Sequence, residues 1–519
     1  MGDQNTPITA ADARQVVRRC GFGIPVKESK KYTVDALTGL TRGAVADLFL
    51  SFRPKGFQPK GKDFFASHNK WLKFMLKAKK GYALQEKLVL FFHDHFATNY
   101  TTLANQMGQA DALVMMGQQN RFFRKNCTGN FKTLVKSINT NPAMMNFLDT
   151  VLNLKNQPNE NYGRELMELF TLGVRDLNGK VNYLQEDIVQ IARAFTGWQH
   201  DIKANTGHLH PEAHDTTAAF PERGPKVIFG VAHPEIVPPA PPHNVGGFAS
   251  PQSFIVGGEA ENEIDEVTEI LFQHTDTDGE NTIARHLTFK LLEYFCYANP
   301  TKTVVDQIIA ASGFVGSWEM KPLLRAIFVH DVFYETAAPA PYGALTKKSV
   351  RWPVDYVLGT LRSLGMKPKG TALQLQGGDF NYLYDLLADM GQTVMEPVSV
   401  FGWDWEESWI SGVALLARYE FVRDLVTSRF SEAFRPERLI DLDLTDPGDI
   451  VDAVVAQLGL SDPLGTNSQL TADQRQDLID YLTDNGANPT LDLQDYDTRN
   501  RKLHGLYGLL LQSPAAVLH

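Results

Sequence analysis

The residues best suited to chemistry lie in one short segment, PNENYGRELMELFTLG, at residues 158–173. It brings four ionisable side chains close together: Glu160, Arg164, Glu165 and Glu168. Carboxyl groups in close proximity push their pKa values apart, so that one can accept a proton while its neighbour stays ionised. An adjacent arginine can orient the carboxylates or bind an anionic substrate. We therefore predict that these four residues are catalytic, with Glu165 and Glu168 as acid/base groups or metal-ligating carboxylates.

The same segment is also typical of a structural helix. At about 100° per residue, its charged and amide side chains fall on one arc and its apolar side chains on the other. Such an arc forms a solvated face with i,i+4 ion pairs, here Glu160–Arg164 and Arg164–Glu168. A buried network of paired charges is a further alternative. The sequence leaves these alternatives open.

A second group of side chains has the chemistry of metal ligands. Its members are His93, His95, His214 and Asp215. Imidazole and carboxylate groups suit a divalent Zn, Mn or Fe ion. On a continuous helix His93 and His95 would point to opposite sides, whereas on an extended chain they would point the same way. His208 and His210 form another histidine-rich patch, and buried histidines with satisfied hydrogen bonds are the structural alternative.

Other sequence signals narrow the function only slightly. No HExxH, GxSxG, P-loop or GxGxxG motif occurs, so standard zinc-protease, hydrolase-elbow and nucleotide-binding sites have no support. Three tryptophans, Trp403, Trp405 and Trp409, lie within seven residues. They suit either core packing or a platform for a carbohydrate or an apolar ligand.

The elements that must position these residues are mainly helices. The patterns predict a buried helix over 84–96, the charged helix over 160–172 and further helices over most of the chain. Residues 199–260 differ, because they contain a Pro/Gly-rich run and two strand-like runs, 226–230 and 253–258, that could pair. We predict a large multi-helix body made of residues 1–198 and 261–519, interrupted by a small β-hairpin insertion at 199–260.

The composition sets broad limits on the binding partners and the cellular compartment of the protein. The chain has 519 residues, is 43% hydrophobic and 21% charged, and carries a formal net charge of −10, which argues against a nucleic-acid or anionic-membrane surface. Its three cysteines form no CxxC zinc or redox motif. So few cysteines suit a reducing compartment or a chain that does not depend on disulfides. No signal core or membrane span is visible, so cytoplasmic folding is the default, with export alongside a signal-bearing partner as the alternative.

In their order along the chain, several motifs together resemble the bacterial family called domain of unknown function 1800. They include VVRRCGFG (16–23), EKLVLFFHDHFAT (86–98), PNENYGRELMELFTLG (158–173), EDIVQIARAFTGW (186–198) and GQTVMEPVSVFGWDWEESWISGVALLARYEF (391–421). The resemblance implies a mainly helical protein and gives no reaction. It also implies a paired system, because family members often accompany a protein that resembles sulfatases and phosphatases. The family usually has His-Asp-Pro-Gly where this chain has His214-Asp215-Thr-Thr.

Two functional hypotheses follow. The first is a hydrolase, metal-assisted or acid/base, whose site lies between helix 84–96, the charged helix and the histidine-rich insertion. The second is a non-catalytic helical scaffold for a sulfatase/phosphatase-like companion. An enzyme needs its carboxylates and histidines to converge in a water-accessible cleft. A scaffold would pair its charges internally and expose an apolar patch elsewhere.

Overall fold

A computed structural model of the chain describes residues 3–26, 30–59, 63–216, 220–223, 226–229, 252–254, 262–334, 349–366, 382–427, 434–460 and 470–518. The fold is mainly α, as predicted. The Pro/Gly-rich run of the predicted insertion lies outside the described residues.

Helices dominate the described chain. The first group is α1 (Ala10–Arg19), α2 (Val34–Leu37), α3 (Arg42–Phe49), α4 (Phe64–Lys77), α5 (Tyr82–His95), α6 (Tyr100–Met107), α7 (Gln109–Asn126), α8 (Phe131–Asn139), α9 (Pro142–Phe147), α10 (Asn161–Glu165) and α11 (Gln185–Ala194). The second group is α12 (Glu263–Gln273), α13 (Thr282–Phe295), α14 (Lys302–Ser312), α15 (Phe314–Ser317), α16 (Met320–Val329), α17 (Asp331–Tyr334), α18 (Pro353–Ser363), α19 (Tyr382–Asp389), α20 (Gly412–Val426), α21 (Pro447–Leu458), α22 (Ala472–Thr483), α23 (Tyr496–Thr498), α24 (His504–Gln512) and α25 (Pro514–Val517). Two π turns cover Leu166–Thr171 and Arg499–Leu503.

Several helices begin where the sequence places a cap. At α1, the Thr9 hydroxyl accepts from the Asp12 N–H at 3.1 Å, and the Asp12 carboxylate accepts from the Thr9 N–H at 2.8 Å. The same reciprocal pair joins Thr471 and Gln474 at α22. Each pair satisfies two backbone donors that a helix start otherwise leaves open. Both pairs have the capping-box spacing, with the second residue three positions after the threonine, so both helix starts can be read from the sequence.

The strands form two small antiparallel pairs. β1 (Trp198–Asp201) pairs with β2 (Thr206–Leu209) as a hairpin, and β3 (Lys226–Ile228) pairs with β4 (Gln252–Phe254). In the second pair Lys226 lies opposite Phe254 and Ile228 opposite Gln252. This is the predicted pairing of the two strand-like runs. The hairpin β1–β2 is an addition that the sequence analysis missed.

One cluster of buried apolar side chains includes residues from Ile8 to Val517. α5 is buried along its length after Tyr82, including Glu86, whose carboxylate accepts from Arg124 Nη2 at 2.6 Å. The tryptophan run joins this core, since Trp403 and Trp409 are buried and both pack against Trp352. Core packing is therefore the role of these two tryptophans. The division into parts at residues 198 and 260 stays a prediction.

Among the described residues, no helix combines the length and apolar character needed to cross a bilayer.

Candidate functional site

The charged segment begins as an α-helix and widens into a π turn. α10 covers Asn161–Glu165, and Leu166–Thr171 continues it with π geometry. A π turn inserts an extra residue into the helical ladder and often occurs at functional sites. Here the turn begins directly after Glu165 and contains Glu168, so the two glutamates do not keep the spacing of a regular helix.

Two histidines hold the end of the π turn. His95 Nε2 donates to the Phe170 carbonyl at 3.2 Å, and His286 Nε2 donates to the Leu169 carbonyl at 3.3 Å. Carbonyls in the last turn of a helix have no intrahelical donor, so these two bonds replace the missing partners. Burial lowers the pKa of both imidazoles, to about 3 for His286, so each ring is neutral at pH 7. The histidines of α5 and α13 therefore fix the segment that carries the glutamates.

Glu165 is the most unusual carboxyl group of the segment. The residue is 7% exposed, and its Oε2 atom has no hydrogen-bond partner among the described residues. Burial, followed by the like charge of Glu168, raises the pKa of Glu165 to about 7, while Arg164 opposes the increase. A carboxyl group with this pKa is partly protonated and partly ionised at neutral pH, as proton transfer in both directions requires.

The other charged residues of the segment have partners. Arg164 Nη2 donates to Glu160 Oε2 at 3.1 Å and to Gln185 Oε1 at 3.0 Å. The Arg164 and Glu160 side chains are 40% and 36% exposed, so this is the solvated i,i+4 pair of the structural alternative. Glu168 Oε2 accepts from the Tyr183 hydroxyl at 3.1 Å. The segment thus combines an exposed ion pair with a buried glutamate whose Oε2 atom has no hydrogen-bond partner among the described residues.

His93 and His95 point into different surroundings. α5 continues through His95, and the His93 ring lies between Trp71 and Trp403, at centroid distances of 5.7 and 5.4 Å. The His95 ring instead stacks on Phe91 at 5.8 Å. This is the helical alternative, in which the two histidines do not share an ion.

Asp94, between the two histidines, ties the end of α5 to the tryptophan run. Its carboxylate accepts from the Trp403 N–H at 2.8 Å and from Trp405 Nε1 at 3.2 Å. Gly402 has φ +93°, and a Cβ atom there would lie 2.3 Å from Asp94 Oδ1. The close approach therefore requires glycine at this position.

His214 belongs to a buried ionic network. Its Nδ1 donates to the Thr196 carbonyl at 2.8 Å, and its Nε2 lies 3.1 Å from Glu263 Oε2. Lys226 Nζ donates to the same Glu263 oxygen at 2.7 Å and to the Asp215 carbonyl at 2.6 Å. All four charged or titratable residues of this network are buried. Its contacts are those of a structural element that fixes β3 to α12.

The Asp215 side chain completes the network. Its Oδ2 accepts from Arg193 Nε at 3.2 Å and from Arg223 Nη1 at 2.6 Å. Two guanidinium groups therefore already occupy the carboxylate that the sequence offered as a metal ligand.

The family model described as "Protein of unknown function (DUF1800)" matches residues 9–518. The chain belongs to the DUF1800 family. The match confirms the resemblance carried by the motifs. No curated protein and no solved structure matches the chain.

In this DUF1800 protein the predicted metal ligands do not converge. His93, His95 and the His214–Asp215 pair each have their own set of contacts, described above. Within the part of the chain that the structure describes, no group of three or more His, Cys, Asp or Glu side chains is arranged to hold a metal ion. The role of these four residues as ligands stays a prediction.

Sequence reasoning missed several residues around the DUF1800 site. Tyr183 and His286 contact the charged segment from loops and helices that are distant in sequence, and Glu263 and Lys226 complete the His214 network. The sequence signals were the run TIARHLTFKLLEYF at 282–295, which carries His286 within a stretch otherwise typical of a core helix, and the strand-like run 226–230, which begins with Lys226.

Proposed function

We propose that this protein is a hydrolase that uses general acid–base catalysis, with Glu165 as the group that transfers the proton. The observation that carries the proposal is the buried, unpartnered Oε2 atom of Glu165 beside a second carboxylate. Leaving a buried polar atom without a partner costs about 1–3 kcal/mol, so an atom of this kind calls for an explanation, and here we infer a catalytic one. Perturbed carboxyl groups of this kind are common at catalytic sites.

The reaction needs one proton to move twice. Ionised Glu165 accepts a proton from a water molecule as the water oxygen bonds to the electrophilic carbon or phosphorus of the substrate. The bond from that atom to the leaving group then breaks, and protonated Glu165 returns the proton to the leaving-group oxygen. The sum is the addition of one water molecule across the broken bond, with Glu165 regenerated.

The neighbouring residues have supporting roles in this proposal. Burial raises the pKa of Glu165, and the charge of Glu168, which is held by Tyr183, adds to the increase. Arg164 is partly exposed and offers a guanidinium group to an anionic substrate. His95 and His286 are positioning residues, because they contact the backbone of the π turn. None of these proposed roles requires the predicted divalent metal ion, which remains a separate hypothesis.

The test is a screen of the purified full chain against 4-nitrophenyl acetate, 4-nitrophenyl phosphate and 4-nitrophenyl β-glucoside between pH 5 and pH 9. We expect hydrolysis of at least one of these three substrates, with a rate that follows a group of pKa near 7. A rate profile without an inflection near pH 7 would contradict the assignment of Glu165.

The raised pKa also makes a prediction about stability that needs no substrate. Between the ordinary value of 4.5 and the folded value of about 7, the folded protein binds more protons at Glu165 than the unfolded chain does. The contribution of Glu165 to the free energy of unfolding is therefore fully present below about pH 4.5 and is lost as the pH rises through 7. Relative to Glu165→Gln, the wild type should lose about 2 kcal/mol between pH 5 and pH 8, after allowance for solvent screening.

Urea unfolding followed by circular dichroism at the two pH values measures this difference. Glu186→Gln, an exposed glutamate on α11, serves as the matched control and should show no pH-dependent difference from the wild type. A difference between wild type and Glu165→Gln that is the same at both pH values would show that the pKa is ordinary.

A second candidate function is the scaffold for a sulfatase/phosphatase-like companion. One observation favours it: α20 exposes Val413, Leu416 and Tyr419, spaced three residues apart on one face, at 65%, 59% and 42%. Exposed apolar side chains in a row are typical of protein–protein contacts. A scaffold would hydrolyse none of the three nitrophenyl substrates, with or without the Glu165→Gln substitution, and this outcome separates the two candidates.

A further inference from the structure

The second histidine-rich patch consists of His208 and His210. Its two imidazole rings converge, whereas those of His93 and His95 on α5 do not. His208 lies on β2 and His210 follows its end, so the two side chains, two residues apart on extended chain, point to the same side. Their Nε2 atoms are 3.1 Å apart. His208 is exposed, and the His210 side chain is 45% exposed, so an ion can reach both nitrogens from solvent.

A carboxylate orients one of the two rings. His210 Nδ1 lies 3.2 Å from Glu212 Oε1 and donates to it, because a carboxylate oxygen can only accept. The proton is then on Nδ1, and the Nε2 atom of His210 presents its lone pair towards His208. A histidine that donates one N–H to a carboxylate and binds a metal with the other nitrogen is a recurring arrangement in metal sites.

We propose that His208 Nε2 and His210 Nε2 bind one divalent transition-metal ion of the Zn²⁺ type, with water completing the coordination. Nitrogen–zinc distances of about 2.0–2.1 Å allow two nitrogens 3.1 Å apart to contact the same ion. Without the ion, His208 donates a hydrogen bond from Nε2 to His210. Binding moves that proton to the Nδ1 atom of the His208 ring, which solvent exchange permits at an exposed residue.

The hairpin beneath the patch is anchored, so the backbone that carries the two imidazoles is fixed before an ion arrives. On the opposite face of β1, His200 Nε2 accepts from Asn146 Nδ2 at 2.7 Å. Gly207 packs so closely that a Cβ atom there would lie 2.9 Å from Thr140 Cβ. Gln118 Nε2 donates to the Ile202 carbonyl at 2.9 Å. Fixed ligands lose less freedom on binding, which strengthens binding.

This proposal is independent of the acid–base site. None of its residues belongs to the charged segment. With two protein ligands, the site does not conflict with the lack, among the described residues, of any group of three or more metal-binding side chains. Imidazole ligands favour Zn²⁺ over Mg²⁺, which prefers oxygen, so selectivity follows from the donor set.

The test is isothermal titration of ZnCl₂ into the chelator-treated full chain, with MgCl₂ as the comparison ion. We expect the wild type to bind one more Zn²⁺ per chain than His208→Ala or His210→Ala, and to give no signal with Mg²⁺. Glu212→Gln should retain the site with an affinity lowered about tenfold. Thr206→Ala, an exposed change on the same strand, is the matched control and should bind as the wild type does.

A second measurement keeps the result clear if other histidines also bind zinc. Diethyl pyrocarbonate modifies accessible imidazole nitrogens, and mass spectrometry of the digested protein locates each modification. We expect Zn²⁺ to reduce modification of His208 and His210 at least fivefold, and Mg²⁺ to have no effect. Equal modification with and without Zn²⁺, or equal Zn²⁺ binding by wild type and His208→Ala, would overturn the proposal.

Discussion

Glu165→Gln is expected to lower the rate of hydrolysis by about 10²- to 10⁴-fold while the protein stays folded, since positioned proton transfer contributes a factor of that size. Glutamine has nearly the same shape as protonated glutamate, so the packing around the buried side chain is retained. It cannot accept a proton from water. The rate constant kcat for the best substrate of the nitrophenyl screen, measured at pH 7, checks this.

Two further variants make the result specific. Glu186→Gln removes one carboxylate from the neighbouring α11 at an exposed position and should keep the wild-type rate. Glu165→Asp retains the carboxyl group but withdraws it by one methylene group, so it should recover part of the activity. Equal rates for wild type and Glu165→Gln would refute the catalytic role, provided that circular dichroism shows both proteins folded.

Glu263→Ala is expected to destabilise the fold by about 3–5 kcal/mol, because it leaves the buried Lys226 ammonium without its carboxylate. The two side chains are 3% and 0% exposed, so water cannot replace the lost partner. His214 loses its Glu263 contact at the same time. The free energy of unfolding, from urea denaturation at pH 7, measures the loss.

The same helix supplies a matched control for this prediction. Glu269, also on α12, pairs with Lys132 at 2.8 Å but is 43% exposed. Glu269→Ala should therefore cost no more than about 1 kcal/mol. A double variant, Glu263→Leu with Lys226→Met, should recover at least half of the loss, because it removes both buried charges. Additive losses in the double variant would show that the charges are not coupled.

The sequence predicted local features well because their causes are local. The capping residues of α1 and α22, and the exposed pair Glu160–Arg164, depend on residues three or four apart, which a regular helix brings together. The second predicted pair, Arg164–Glu168, is not formed, because the π turn changes the helical spacing and Glu168 instead accepts from Tyr183. The pairing of the two strand-like runs was also predicted. Side-chain patterns of this kind indicate secondary structure without knowledge of the tertiary contacts.

The sequence did not predict the chemical environment of each side chain. Glu165 and Glu160 lie on the same polar arc, yet only Glu165 is buried, because helix packing covers one edge of the arc and leaves the other in water. The pKa depends on that burial, and burial depends on elements distant in the chain. The π turn after Glu165 and the histidines that hold it are likewise tertiary features.

The two His-x-His motifs show the limit of prediction from the sequence. The sequence by itself determined that this is a mainly helical DUF1800 protein with carboxylates and histidines in a few short segments. It left open whether a pair of histidines two residues apart converges. The tertiary structure decided this, because α5 turns His93 away from His95, while extended chain places His208 beside His210. Backbone conformation sets the direction of neighbouring side chains, and packing chooses that conformation.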